Sequence, residues 1–228
     1  MPLGGRVYRM HHMYDTVHVD EKWFNLYKDT NKYYLTATEQ LPYRSCPNKR
    51  YIGKIMFLAA VARPRYDFHR KQYFDGKLGI WPIVEETKAA RSSANRPKGA
   101  IVTKSVTMTR KRYRTLLIEN VSQQSELRCQ DNAGPYVLKD DSELEAAGSI
   151  GGWTIKMRCQ PPRSPDLNVL DLGYFSSIQA LQYRKACYDT SSLITAVHEA
   201  FQELRDPRQV FCYATESNGG CSTKWWRE

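Results

Sequence analysis

The chain has 228 residues, 41% of them hydrophobic and 25% charged, which is enough apolar material for a core and too much for full disorder. It holds no run of about 18 apolar residues, no apolar block near the start, and six cysteines without a CxxC pair. A membrane-spanning helix, a secretory signal, a zinc ribbon and a disulfide scaffold are therefore not expected. The net charge of +10 is local: residues 43–116 hold 18 Lys and Arg against 4 Asp and Glu, and the rest of the chain holds 16 against 20. A local positive field suits a polyanion, because each neutralised phosphate releases counterions.

Residues 16–26, TVHVDEKWFNL, alternate and are rich in β-branched and aromatic side chains, so they predict a strand. KYYLTAT at 32–38 predicts a second. GKIMFLAAVA at 53–62 is apolar nearly throughout, the pattern of a central strand covered on both faces. Residues 65–100 are basic and turn-rich, with Asp75-Gly76 and Pro97-Lys98-Gly99 as hairpin or loop apices. Helical spacing over 109–121 puts Tyr113, Leu116, Leu117 and Val121 on one face. Short strands are predicted at 126–130 and 154–160, with a short helix at 142–147 between them. After Pro161-Pro162, two amphipathic helices follow, at 169–184 (Leu170, Leu172, Phe175, Ile178, Leu181) and 191–204 (Leu193, Ile194, Val197, Ala200, Phe201). The order of elements implies an α/β fold built on a mixed sheet.

Three carboxylates fall where this pattern predicts partial burial. Asp20 lies mid-strand, beside Val19 and before Trp23 and Phe24, both expected in the core. Asp131 directly follows a strand, and Asp171 starts a helix after the SPDLN turn. One such Asp is ordinarily a cap or turn residue. Three at one sheet edge are better explained by a shared cation, and Mg2+ or Mn2+ takes oxygen ligands of this kind. Two ions could clamp both oxygens of a phosphodiester displacement. Paired carboxylates could also serve a glycosidase, but the basic excess and the lack of sugar-stacking residues near Asp20 count against it. The five His residues (11, 12, 18, 69, 198) show no HExxH spacing, and His18 reads as a strand residue rather than a ligand. No glycine-rich phosphate loop is present.

VHVDEKWF at 17–24, QDNAGPY at 130–136 and SPDLNVLDLGYF at 164–175 resemble the three catalytic blocks of mariner-like DDE/D transposases. The 39 residues between Asp131 and Asp171 are similar to the spacing of the plant and oomycete branch. KIMFLAAVARPR, FDGKLGIWP, NRPKG and YRTLLIENV agree with that branch. The resemblance runs from about Tyr14 to Phe211. It implies a ribonuclease H-like, five-stranded mixed sheet flanked by helices, and a catalytic domain at 14–211 with a basic insertion at about 65–112. It also implies DNA cleavage and strand transfer with Mg2+ or Mn2+ held by Asp20, Asp131 and Asp171. Glu21, Asn132 and Asp166 would support those ligands. Arg63, Arg65, Arg91, Arg96, Lys98, Arg110, Lys111 and Arg112 are the expected DNA contacts. The implied partners are transposon ends, target DNA and a second copy in a homodimer, and the implied location is the nucleus.

The chain departs from the family pattern in several places. Only 19 residues precede Asp20, too few for the paired helix-turn-helix that reads transposon ends, so residues 1–13 are expected to be a loose N-terminus. Tyr136 stands where the second block ordinarily has His, and the connection at 121–130 is short. The tail at 212–228 is unlike the family's ending, whereas one choice of codons for it, read one base later, gives a sequence that resembles that ending, so a frameshifted, disordered tail after Phe211 is the expectation. These departures leave a second reading open: a catalytically decayed remnant or co-opted DNA-binding protein without enzymatic activity.

Overall fold

The computed structural model describes residues 13–14, 16–27, 52–68, 71–93, 96–121, 128–130, 141–149, 168–204 and 211. The strand expected at 32–38, the strand expected at 154–160, the tail at 212–228 and residues 1–12 lie outside these. Among the described residues the strands are β1 (Thr16–Asn25), β2 (Lys54–Ala62), β3 (Arg65–Asp67), β4 (Gln72–Phe74), β5 (Lys77–Pro82), β6 (Val84–Lys88), β7 (Ile101–Ser105) and β8 (Arg128–Gln130). The helices are α1 (Arg110–Leu116), α2 (Ser142–Gly148), α3 (Phe175–Gln182) and α4 (Thr190–Glu203). Wide i→i+5 turns, Leu117–Val121 and Leu170–Tyr174, extend α1 and lead into α3.

The central sheet has the order β5-β2-β1-β8. β1 pairs antiparallel with β2, placing Val17 opposite Ala62 and Asp20 opposite Ala59. β5 pairs antiparallel with β2, and β8 runs parallel to β1, so the chain must cross over between β5 and β8. α1 lies on that crossover.

Alternation along β1 and β2 feeds two cores. Phe24, Phe57, Ala59 and Val61 face α3, α4 and Phe211. Val17, Val19, Leu58 and Ala60 face Ile83, Met108, α1 and α2. β2 therefore needs apolar residues at every position, which explains its unbroken hydrophobic run. Phe24 packs edge-on to Phe57 at 5.4 Å and to Phe175 at 6.3 Å. Trp23 departs from its expected place: it is 37% exposed on the opposite face, with Lys54 Nζ 4.6 Å from its ring.

The turn-rich stretch contains more sheet than its sequence suggests. β3 and β4 form a hairpin between β2 and β5, and β6 pairs with β7. The Asp75-Gly76 apex holds where expected: Gly76 has φ +84°, and its carbonyl accepts the Ala62 N–H at 2.8 Å. A Cβ at Gly76 would meet the Ala62 carbonyl oxygen at 2.2 Å, so only glycine fits. α4 starts at a capping box, in which Asp189 accepts the Ser192 N–H at 2.7 Å and the Ser192 hydroxyl accepts the Asp189 N–H at 3.1 Å.

Candidate active site

The period of two places Asp20 on the same face of β1 as Lys22 and Phe24, toward the C-terminal helices. Asp20 is half-buried. Its Oδ1 accepts the Glu21 N–H at 2.8 Å, and its Oδ2 accepts Asn168 Nδ2 at 3.0 Å. Asn168 is buried and doubly anchored: its Oδ1 accepts the Leu170 N–H at 3.0 Å and its carbonyl accepts the Leu172 N–H at 3.1 Å. The first of these bonds assigns Oδ1 as acceptor and leaves Nδ2 as the donor to Asp20. One amide thus fastens the middle of β1 to the turn that carries Asp171.

Asp171 lies three residues beyond Asn168, in the first turn, and is exposed rather than partly buried as its sequence context suggested. A carboxylate there is favoured by the positive end of the helix. β8 ends at Gln130, opposite His18 and one residue before Asp131. Asp131, Asn132, Tyr136 and Asp166 lie outside the described residues, so the structure brings Asp20 and the Asp171 turn together and leaves the third carboxylate undescribed. Among the described residues no three His, Cys, Asp or Glu side chains gather at one point. Glu21 contributes its backbone to Asp20, while its side chain leaves from the other face of β1, in register with Leu58.

Asn168 and Lys22 are two further residues of this site, beyond those the sequence motifs mark. Lys22 lies two residues along the same strand face, with Nζ 5.7 Å from the Phe175 ring centroid. Period-two spacing carries that signal. Asn168 precedes a helix, as capping residues do, but its link to Asp20 spans 148 residues. Replacing Asn168 by Ala should lower stability by about 2 kcal/mol, since one bond goes to a carboxylate and one starts a turn. Asn168→Asp keeps the turn but sets a second carboxylate against Asp20. Its urea midpoint should fall at neutral pH and recover on adding Mg2+; no recovery would remove this turn from any cation site.

The basic residues divide by environment. Arg63 is buried with its guanidinium 4.6 Å from the Tyr14 ring, and half-buried Arg65 donates to the Tyr14 carbonyl. Both hold the approach to β1. Arg112 is ion-paired with Glu85. Arg114 Nε donates to Asp141 Oδ2 at 2.9 Å and Nη1 to Glu143 at 3.0 Å, tying α1 to α2; the Asp141 bond is the larger cause of a raised Arg114 pKa. Arg91, Arg96 and Lys98 are exposed on the loop joining β6 to β7, and Arg110 and Lys111 are exposed in the first turn of α1. Cations at a helix start oppose its dipole, so Arg110 and Lys111 do not serve the helix. A groove of about 520 Å3 between β6 and α1, lined by Ile83, Val84, Lys111 and Leu116 among others, contains neither Asp20 nor Asp171.

No protein-family model matches the chain, and no curated protein does. Solved structures do. The Mos1 transposase paired-end complex with left transposon end matches with a TM-score of 0.59 at 15% identity, over 91% of this chain and 54% of that one. The fold is ribonuclease H-like. The Mos1 mariner paired-end complex with Mn gives 0.59 at 15% identity, over 92% of this chain and 57% of that one. The catalytic domain of Mos1 mariner transposase gives 0.50 at 13% identity, covering 92% and 85%. The chain spans little more than half the length of the first two. Four strands of the central sheet are described here, in the order given above.

Proposed function

We propose that this chain is the catalytic domain of a mariner-like DDE/D transposase of the plant and oomycete type, spanning residues 14–211, that cleaves and joins DNA. The observation that carries the reading is the Asp20–Asn168 bond, which ties the central-strand carboxylate to the turn bearing Asp171. The ribonuclease H-like sheet and the position of Asp131 directly after the strand parallel to β1 support it.

The residues fit a hard divalent cation. Asp20 presents a half-buried carboxylate whose two oxygens are oriented by the Glu21 N–H and Asn168 Nδ2, a hard oxygen ligand of the kind such a cation takes. Asp20, Asp131 and Asp171 would hold Mg2+ or Mn2+, the hard cations such oxygen ligands suit. The bound metal supplies charge neutralisation and polarisation at the phosphodiester. Asn168 and the Glu21 N–H fix the Asp20 carboxylate in one orientation, which lowers the cost of assembling the site. Glu21, Asn132 and Asp166 are proposed as supports, the first through its backbone. A homodimer and a nuclear location follow from the same reading; among the described residues, no helix is long and apolar enough to cross a membrane.

DNA approaches, in this reading, over the exposed cations of the β6–β7 loop and α1. Affinity should fall steeply with salt. The triple substitution R91Q/R96Q/K98Q should reduce the slope of log K against log salt by up to about 2.7, about 0.9 per phosphate contact. An unchanged slope would remove that loop from the DNA path. The function itself is tested by nicking of supercoiled plasmid, expected with Mg2+ or Mn2+ and absent with chelator. Binding without nicking would favour the decayed, DNA-binding reading, to which Tyr136 and the short 121–130 connection already point.

A further inference from the structure

The β3–β4 hairpin has an inner and an outer face. Phe74 lies on the inner face and packs on the core that includes Val17 and Leu58. The outer face carries three rings: Tyr66 is 47% exposed, Tyr73 52% and Phe68 82%. Tyr66 and Tyr73 are directly opposite in the ladder, and the Tyr66 and Phe68 rings meet edge-on at 5.1 Å. Three solvent-facing aromatics on so short a hairpin form an apolar patch that a lone soluble domain ordinarily avoids. Along the sequence the patch lies in a basic stretch, with five Lys and Arg against two Asp in residues 63–77. Lys71, in the hairpin itself, is exposed, whereas Arg63 and Arg65 are engaged with Tyr14 and Lys77 with Gln202. The hairpin interrupts the chain between β2 and β5, at the Val17 end of β1, the same strand that carries Asp20.

We infer that the outer face of this hairpin is a stacking platform for unpaired bases of DNA. Every base offers a π-face, so rings of this kind accept a single strand without reading its sequence, while neighbouring cations follow its backbone. A duplex hides its base faces, so the rings add nothing to duplex affinity. The inference rests on the DNA-binding reading above and adds to it the form of DNA that is held, bases exposed where strands have been opened. A second copy of the chain is the competing occupant, and the basic surroundings disfavour it because like charges would meet across such a contact.

The test compares an oligothymidylate of about 16 nucleotides with a duplex of equal length, by fluorescence anisotropy on the full chain. Phe68 is the least packed ring, so Phe68→Ala should leave the thermal melt unchanged. It should weaken oligothymidylate binding about fivefold or more and leave the duplex affinity and both salt slopes unaltered. Phe68→Trp should restore the single-strand affinity. The double variant Tyr66→Ala/Tyr73→Ala should weaken the single strand further, again sparing the duplex. Equal losses for both DNA forms, or no loss for the single strand, overturn the platform while leaving the DNA reading intact. A wild-type chain that binds neither form overturns the DNA reading and the platform with it. Conversion of a dimer to a monomer by Phe68→Ala, seen by sedimentation, would assign the rings to a contact between copies and overturn the inference.

Discussion

Asp20→Asn should abolish metal-dependent nicking and leave DNA binding in place. The substitution keeps the shape of the side chain and removes its charge. Two donors, the Glu21 N–H and Asn168 Nδ2, each address a different Asp20 oxygen. Asn has one acceptor oxygen, so one donor loses its partner, at about 1 kcal/mol. That cost is a small part of the stability of a domain of this size, so the melting temperature should move little. The effect on chemistry is far larger. A metal at a phosphodiester contributes several kcal/mol of charge stabilisation, so losing it should slow nicking roughly a thousandfold, below detection in a plasmid assay. Asp171→Asn should do the same, and its exposure makes a folding defect still smaller. Wild type and Asp20→Asn nicking at equal rates would take Asp20 out of the reaction. Failure of both to nick, with DNA still bound, would leave the three carboxylates as an inheritance without activity.

The parts of the fold with strong periodicity were legible. β1, β2, α2 and α4 lie within a residue or two of the places their patterns predict, because each buries a face or a stripe, whereas the helix predicted over 109–121 is α1 only to Leu116 and continues as a wide turn to Val121. β5 was not legible. Its sequence KLGIWP carries Gly79 and Pro82, both poor strand residues, and it belongs to a basic stretch full of turn signals. It is tolerated because, among the described strands, it is the sheet edge, where Pro need not donate to a ladder. β6 and β7, VEETK and IVTKS, pair mainly with each other and bury little, so no apolar period marks them. The helix expected over 169–184 is interrupted at Gly173, where φ is 170°, giving a wide turn before α3. Hydrophobic spacing cannot show such a break. At the site, three Asp residues were visible as residue types, but the Asn168 amide that fastens two of the elements together depends on a tertiary contact. Trp23 lies off the core, although aromatic, because strand alternation sets it on the face of β1 opposite Phe24.

Acid should weaken this protein through His18 well before its carboxylates protonate. His18 is fully buried, and neither ring nitrogen has a hydrogen-bond partner among the described residues. Its ring meets Phe211 edge-on at 5.8 Å, an apolar contact that offers no hydrogen-bond acceptor to an imidazolium. Burial holds its pKa down, from 6.5 to about 4. The native state therefore stays neutral at this residue while the unfolded chain takes up a proton near 6.5. Stability is full above that value and is lost as pH falls toward 4, because the unfolded state binds more protons throughout the window. The whole shift is worth about 3 kcal/mol, and about 2 kcal/mol of it should be gone by pH 5. His198, half-buried and also lowered by burial, adds a smaller loss of the same sign. Asp189, held below the usual carboxylate range by the Ser192 bonds, acts only at still lower pH. His18→Leu removes the proton site and the two unpartnered nitrogens while nearly conserving volume. Its urea midpoint should match or exceed wild type at pH 7.5 and exceed it by about 1 M at pH 5. Parallel pH profiles for the two proteins would show that His18 is charged or hydrogen-bonded in the native state and would end this account of acid sensitivity.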